Sequence, residues 1–493
     1  MSVALSDQDK ITLWIGAWGA VSLISAASAG GSAHKAGTDG SLALATATGL
    51  VGHVLGSKPK GAQLGGKSVA ALADQALPAL TTAMDLLSKH DPAEASNYRS
   101  TVLVAVEAAM RGQRSGPAAA EMARKIAAAL DAAEQDRPGL RKIMQKMVES
   151  GFVGVELRVH DGRGEWLGRA GARELGGTEQ PPVNGHVRIG SNTKTFTAVL
   201  VLQLVAEGKA GLDVPVDDYL PEFGLDRRIT VRMLLQHTSG IFNFTGEYYP
   251  DGTSAPGIAA TNSGKEWVDN RFKTYLPEEL VRLALSKPAR FEPGSDWSYA
   301  NTNYVVARLL IEKVTGNSYA EEMRRRILEP LGLTGTRALS TEIDVPEPHA
   351  HAYYRYEEGG QETIVDVTRQ NPSWISSGGD MISTSRDLHT FVSALASGRL
   401  LPAELLAEMC VTYPGIGYGL GVMVQEAPGG GTVITHNGGM AGHAALMYSS
   451  QDGGTTLTAA LNYVDDATMS LGPVFQEVTQ ELVTEVFGGD AGQ

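Results

Sequence analysis

Cysteine is almost missing from this sequence: the 493 residues contain one, Cys410. A single thiol closes no disulfide within the chain, and no Cys/His cluster has zinc-ligand spacing. No metal or other cofactor is therefore expected. Cys410, in AEMCVTY, lies in a helix-like run and reads as a small packed thiol rather than a reactive one. Basic charge is also short: 41 Lys and Arg stand against 55 Asp and Glu, a net charge of −14. A nucleic-acid backbone calls for a basic face, so nucleic acid is not an expected partner. Long apolar runs are lacking too. ITLWIGAWGAVSLISAASAGG comes nearest, but Gly and Ser dilute it, and Asp7 and Asp9 in the segment before it leave no basic leader. It reads as a helix of a folded domain. No membrane span is expected, and a cytoplasmic location is favoured over secretion by a cleaved signal.

What is present is an ordinary globular balance, 43% hydrophobic and 19% charged residues, on a chain long enough for more than one core. Residues 1–135 are rich in Ala and Gly. Apolar residues recur at helical spacing in VAALADQALPALTTAMDLLSK, YRSTVLVAVEAAM and AAAEMARKIAAALDAAEQ. Pro92 and Pro117 mark helix starts. The expectation is a bundle of four or five helices, serving partner binding or self-association. Within it GAQLGGKS, Gly61 to Ser68, spells a phosphate loop. That motif needs a strand before the loop and a parallel sheet to hold it, and GLVGHVLGSKPK is a poor strand. The rival reading is a glycine-rich bend before a helix starting near Ser68, with Lys67 solvated.

The composition changes near Pro138. LRKIMQKMVES is a short amphipathic helix. GVELRVH and EWLGRAG alternate apolar and polar residues around a turn at Asp161-Gly162, which reads as a β-hairpin. TVITH, AALMYSS and TTLTAALNY are strand-like, and TQELVTEVF closes as a helix. Strands at both ends with helices between predict an α/β unit over 139–489, one antiparallel sheet flanked by helices. A helical subdomain is expected over roughly 208–400.

Three places in this unit invite chemistry. In SNTKTF, Ser191 and Lys194 share a helix face at i and i+3. A serine hydroxyl needs a base before it is a useful nucleophile, and burial lowers a lysine's pKa until a neutral amine is available. The other reading has Lys194 reaching water and Ser191 only capping the helix. Tyr299-Ala300-Asn301 places a phenol and an amide at a loop–helix junction. His436-Asn437-Gly438 ends a strand-like run beside glycines that let a ligand approach the backbone.

S-x-x-K, then Y-x-N, then H-x-G, in this order, resembles the serine β-lactamase and penicillin-binding superfamily. The nearest likeness is to soluble serine D-alanyl-D-alanine carboxypeptidases and class C-like esterases. RIGSNTKTFTAVLVLQLVAEGKAGLDVPVDDYLPEF, ITVRMLLQHTSGI and SSGGDMISTSRDLHTF fit the same family, whereas the S-D-N and K-T-G of class A enzymes are absent. The resemblance implies a hydrolase that forms an acyl-enzyme at Ser191 and cleaves a small-molecule or peptide amide or ester. Lys194 would be the base, or the group that keeps the base deprotonated, and Tyr299 the proton shuttle, with the first proton going to one of these two. Asn301 would orient substrate or lysine, and His436 would replace the lysine of K-T-G beside the tyrosine. The N–H groups of Ser191 and Gly439 would form the oxyanion hole next to Gly438, with Trp374 lining the cleft or simply packing. The alternative from another class is a non-catalytic ligand sensor or scaffold that uses the helical bundle for docking.

His237 is expected to make structural hydrogen bonds in a turn, His349 and His351 to lie on the surface, and His443 to pack near the active-site strand. One departure stands out. The resembling carboxypeptidases hold a substrate carboxylate with an arginine just after Y-G-L-G-x, and here Met423 follows Tyr418–Val422. Methionine offers a carboxylate no charge-assisted bond, so neutral acyl donors are expected, unless Arg369 or Arg386 reaches the cleft.

Overall fold

The computed structural model describes residues 5–27, 33–65, 68–110, 117–135, 137–249, 251–258 and 264–488. It divides into two compact units, Met1–Arg137 and Pro138–Gln493.

The first unit is all-helical among its described residues: α1 (Asp7–Ala27), α2 (Ala33–Ala45), α3 (Gly49–Gly56), α4 (Val69–His90), α5 (Pro92–Met110) and α6 (Pro117–Gln135). That is six helices rather than four or five. Pro92 and Pro117 are both first residues of their helices, where a missing N–H costs nothing. α1 is long and apolar enough to cross a membrane by length and composition, and half of that stretch is buried in the unit. Its glycines explain the packing. A Cβ on Gly19 would lie 2.5 Å from the Ala76 Cβ. On α5 the Tyr98 hydroxyl donates to the Leu13 carbonyl oxygen at 2.7 Å. The phosphate-loop letters are not preceded by a strand: α3 lies before them. Ser68 caps α4, its hydroxyl accepting the Ala71 N–H at 3.2 Å. Gly66 and Lys67 fall outside the described residues.

The second unit opens with α7 (Pro138–Glu149) and the hairpin β1 (Phe152–Asp161) and β2 (Gly164–Gly171). After a long central region the chain returns with β3 (Tyr353–Glu358), β4 (Gln361–Asp366), β5 (Met423–Glu426), β6 (Thr432–Met440), β7 (His443–Ser450) and β8 (Thr456–Asp466). Among the helices of this unit are α8 (Asn192–Ala206), α9 (Val231–Gln236), α10 (Asn301–Thr315) and α11 (Gly472–Phe487). The sheet runs β5-β6-β7-β8-β1-β2, antiparallel throughout. The hairpin β3–β4 is added through a short parallel pairing of β3 with the end of β8. This hairpin lies in the stretch expected to be helices and loops. Its residues, YYRYEEGGQETIVD, mix charge with β-branched and aromatic residues, so its strand pattern is weak.

The sheet has two covered faces. Val433, Leu446, Tyr448, Leu457 and Leu461 pack against α7 and α11, together with Val155 and Leu157. Ala445 and Met447 face the other way, into a core built around α8. Twelve residues of α8 are buried, including Lys194. A helix that is apolar all round belongs in an interior, and this one runs through the centre of the unit with its first turn at β6 and β7.

Candidate active site

The first turn of α8 is fixed by its polar side chains. The Asn192 amide donates to the carbonyl oxygens of Ile189 and of Ala445 on β7, each at 3.0 Å. The Thr195 hydroxyl donates to the Gly421 oxygen at 2.8 Å. β6 meets this turn with no room to spare. A Cβ on Gly438 would stand 1.9 Å from the Ile189 oxygen and 2.6 Å from the Ser191 nitrogen. Gly190 has φ +48, and a Cβ there would lie 2.7 Å from the Gly439 nitrogen. The backbone of Ser191 and that of Gly438–Gly439 are thus held side by side, the arrangement an oxyanion hole requires.

Lys194 is completely buried. Its Nζ lies 3.1 Å from Ser191 Oγ, 2.7 Å from Asn301 Oδ1 and 2.7 Å from the Gly378 carbonyl oxygen. Burial drives its pKa well below the ordinary lysine value. A neutral amine fits the three neighbours: two N–H groups for Asn301 and Gly378, which can only accept, and a lone pair toward the Ser191 hydroxyl. The Tyr299 hydroxyl is 2.8 Å from Ser191 Oγ. Burial raises the Tyr299 pKa above its ordinary value, so the phenol keeps its proton. The three motif residues Ser191, Lys194 and Tyr299 therefore form one hydrogen-bonded cluster.

Asn301 sits at the start of α10. Its N–H donates to Asn243 Oδ1 at 3.0 Å and its side-chain amide donates to Thr245 Oγ1 at 3.1 Å, which aims Oδ1 at the lysine. His237 lies beneath Tyr299, ring centroids 4.3 Å apart. Its Nδ1 is 3.2 Å from the Ala300 nitrogen and from the Asn303 amide. Burial holds its pKa well below the usual imidazole range, so the ring is neutral and fixes the Tyr299–Asn303 loop–helix junction.

His436 is also buried and neutral, its pKa pushed down to about 4 chiefly by burial. Its Nε2 is 3.1 Å from the Tyr418 hydroxyl. The tyrosine it bonds is thus Tyr418, not Tyr299, and Tyr418 stands edge-on to Tyr299 with ring centroids 6.3 Å apart. Sequence reasoning assigned no role to Tyr418, to the Gly378 carbonyl or to Asn243. The first two lie in stretches that resemble the family, YGLG and SSGGD. Asn243 carries no local pattern.

Trp374 is expected either to line the substrate cleft or simply to pack. It packs against the core around α8 and lines a cavity of about 390 Å³ that starts at Gly438–Gly439. Met423 lies on the edge strand β5. It pairs with Thr435 across β5 and β6, and paired residues project from the same sheet face. Val433, two residues from Thr435, packs toward α7 and α11, while His436 has the opposite parity. The register therefore puts Met423 on the face it shares with Thr435 and Asn437, turned away from α8, although Met423 itself does not line the cavity at Gly439. Arg369 pairs with Asp344, and neither it nor Arg386 lines that cavity. His349 and His351 lie outside the site, His351 against Asp366 at 2.6 Å. His443 is buried, bonded to the Ala350 oxygen at 2.9 Å. Cys410 is half-buried at the end of a short helix, and burial raises its thiol pKa.

Residues 140–470 match the family described as Beta-lactamase. The chain belongs to the beta-lactamase family. The structure resembles a D-stereospecific amidohydrolase from Streptomyces sp., 37% identical with a TM-score of 0.62, covering 72% of this chain and all of that one. A D-amino acid amidase from Ochrobactrum anthropi SV3, in complex with D-phenylalanine, is 26% identical with a TM-score of 0.58, covering 70% of this chain and 98% of that one. Penicillin-binding protein 4* of Bacillus subtilis is 26% identical over 306 residues, 59% of this chain and 64% of that protein. This beta-lactamase-family chain thus has relatives of the hydrolase and penicillin-binding kinds, and its first unit lies outside the matched residues.

Proposed function

We propose that the second unit is a serine amidohydrolase that opens small amides through an acyl-enzyme at Ser191. The observation that carries this reading is the buried Lys194 amine at 3.1 Å from Ser191 Oγ, with its other bonds to acceptors only. Ser191 Oγ attacks the substrate carbonyl carbon as its proton passes to the Lys194 lone pair. The carbonyl oxygen, now negative, rests against the N–H groups of Ser191 and Gly439. Loss of one such donor typically costs about 100- to 1,000-fold in turnover. As the intermediate collapses, Tyr299 gives its proton to the departing nitrogen and regains one from the Lys194 ammonium. Water then attacks the acyl carbon, the same groups take its proton, and Ser191 recovers its hydroxyl. The amide class is favoured over the ester class by the Streptomyces and Ochrobactrum likenesses, which cover those proteins nearly end to end.

The test is intact-mass measurement after exposure to a fluorophosphonate and to a penicillin, together with turnover of D-phenylalanine amide. One adduct on Ser191, absent in Ser191→Ala, is expected. A folded protein that takes no label at Ser191 overturns the reading.

A further inference from the structure

The cavity beside Gly439 is lined by a particular set of groups. Phe152, Trp374, Tyr463 and Phe475 give it aromatic walls, and Asn437 and Asp465 supply its polar atoms with the Tyr463 hydroxyl. No lysine or arginine lines it. Its volume of about 390 Å³ falls in the range of small-ligand sites, about 300–1,000 Å³.

The polar atoms are acceptors: Asp465 takes the backbone N–H groups of Asp466 and Gly442, and Asn437 Oδ1 takes none. Asn437 spends its amide N–H on the Tyr448 hydroxyl at 2.6 Å, while its buried Oδ1 has no partner. Asp465 accepts the Asp466 N–H at 2.9 Å. It makes no ion pair among the described residues, although its neighbour Asp466 is held by Arg355 at 2.7 Å. Burial without a cation pushes the Asp465 carboxyl up to about 6. A carboxylate in an aromatic cavity without a counter-charge is costly, and an arriving ammonium would relieve that cost.

The cavity is also connected to the chemistry. A Cβ on Gly439 would lie 3.7 Å from the Tyr463 hydroxyl, and one on Gly190 would lie 2.7 Å from the Gly439 nitrogen. One glycine thus separates the nucleophile's turn from Tyr463.

We propose that this cavity binds the free ammonium and aromatic side chain of an amino-acid amide, with Asp465 as counter-ion and Asn437 Oδ1 as second acceptor. This rests on the amidohydrolase reading and narrows it: a substrate with a blocked amino group loses the charged contact. Asp465 is then a specificity residue for the reaction at Ser191. The aromatic walls favour a cation further, since the face of an aromatic ring attracts an ammonium.

The experiment compares kcat/KM for D- and L-phenylalanine amide with that for their N-acetyl derivatives, using full-length wild type, Asp465→Asn and Asp465→Glu. Fluorophosphonate labelling of Ser191 is followed in each. A charge-assisted bond contributes roughly tenfold to a hundredfold, so wild type should prefer the free amine by about that factor. In Asp465→Asn the ratio of free to acetylated substrate should fall close to one, and Asp465→Glu should restore part of it. Benzylammonium should inhibit wild type competitively and Asp465→Asn at least about tenfold more weakly. A wild-type ratio near one, an equal loss on both substrates in Asp465→Asn, or a preference for the acetylated form would each overturn the proposal. Ser191 labelling would persist in those cases, so the hydrolase reading would stand. Absence of labelling in wild type would remove both together.

Discussion

Lys194 Nζ lies 3.1 Å from Ser191 Oγ, one helical turn away on α8. The spacing follows from the sequence alone, because residues three apart share a helix face. What it means depends on the rest of the fold. With Asn301 and Gly378 holding the other positions around the amine, no carboxylate is at hand to keep it charged. The tyrosine that completes the cluster is a buried phenol that donates. The proposed mechanism therefore gives the first proton to the lysine.

The cluster should fail as a unit. Lys194→Met and Tyr299→Phe should each lower kcat/KM on an amide by about 100- to 10,000-fold, the range of a general acid or base. The double variant should lose little more than the worse single one, as in other coupled catalytic sets. Steady-state kinetics on the four proteins decides it. Losses that multiply would mean that the two residues act in separate steps.

A second outcome concerns pH. Burial depresses the Lys194 pKa, so the neutral, active amine is present above that value and is protonated as pH falls through it. Activity should therefore drop on the acid side. Asn301→Asp would put a carboxylate 2.7 Å from Nζ. An opposite charge so close favours the ammonium and raises its pKa by roughly 1–3 units. The acid limb of kcat/KM should move to higher pH by a similar amount, and the rate at neutral pH should fall. A limb that stays in place would show that another group sets it.

Much of this architecture could be read from the chain. The hairpin 152–171, the strands from 432 to 466 and the helix of Ser191 all carry strong local periodicity, and the Ser, Lys and Tyr motifs keep their order and local spacing. What could not be read depends on distant pairing. The hairpin at 353–366 has a weak pattern and is defined by its junction with β8. Tyr418 reaches His436 only because the chain turns back through β5. Asn437 and Asp465 are ordinary polar residues in sequence, and a shared cavity wall brings them together. Met423 is one residue past a recognisable stretch, yet strand parity decides which way it faces, and a change of one residue reverses it.

Gly438→Ala should be among the most damaging substitutions in the unit. The added methyl would meet the Ile189 oxygen at 1.9 Å and the Ser191 and Asn192 nitrogens at 2.6 and 2.8 Å. These are backbone atoms of the nucleophile's own turn, so no side chain can swing aside. Either β6 or the start of α8 must shift. Because a misplacement of about 1 Å can cost a hundredfold in rate, kcat should fall by at least that factor, and overpacking should cost about 1–3 kcal/mol of stability. Urea unfolding and single-turnover acylation measure the two effects separately. A variant with wild-type kinetics would mean that β6 is not held against Ser191 in solution.

The last prediction concerns Met423 and substrate charge. From sequence, an arginine at this position would be the way to introduce a carboxylate clamp. The register agrees: Met423 pairs with Thr435, whose side chain shares a sheet face with Asn437 two residues on, although Met423 itself does not line the cavity that adjoins Gly439. An arginine there would project from the face that Asn437 occupies, and such diagonal neighbours lie within reach of a long side chain. That cavity presents open acceptors and no cation. A substrate carboxylate entering it would be desolvated without a partner, which is expensive, whereas an amide or methyl ester would not. Wild type should therefore prefer a methyl ester to the matched free acid, and Met423→Arg should shift that ratio toward the acid by roughly ten- to a hundredfold. A side chain that fails to reach the cavity would leave the ratio within about threefold of wild type. Measurement of both substrates on both proteins at two salt concentrations separates these outcomes. A ratio left unchanged in Met423→Arg would show that the side chain does not reach the cavity and that the parity argument fails.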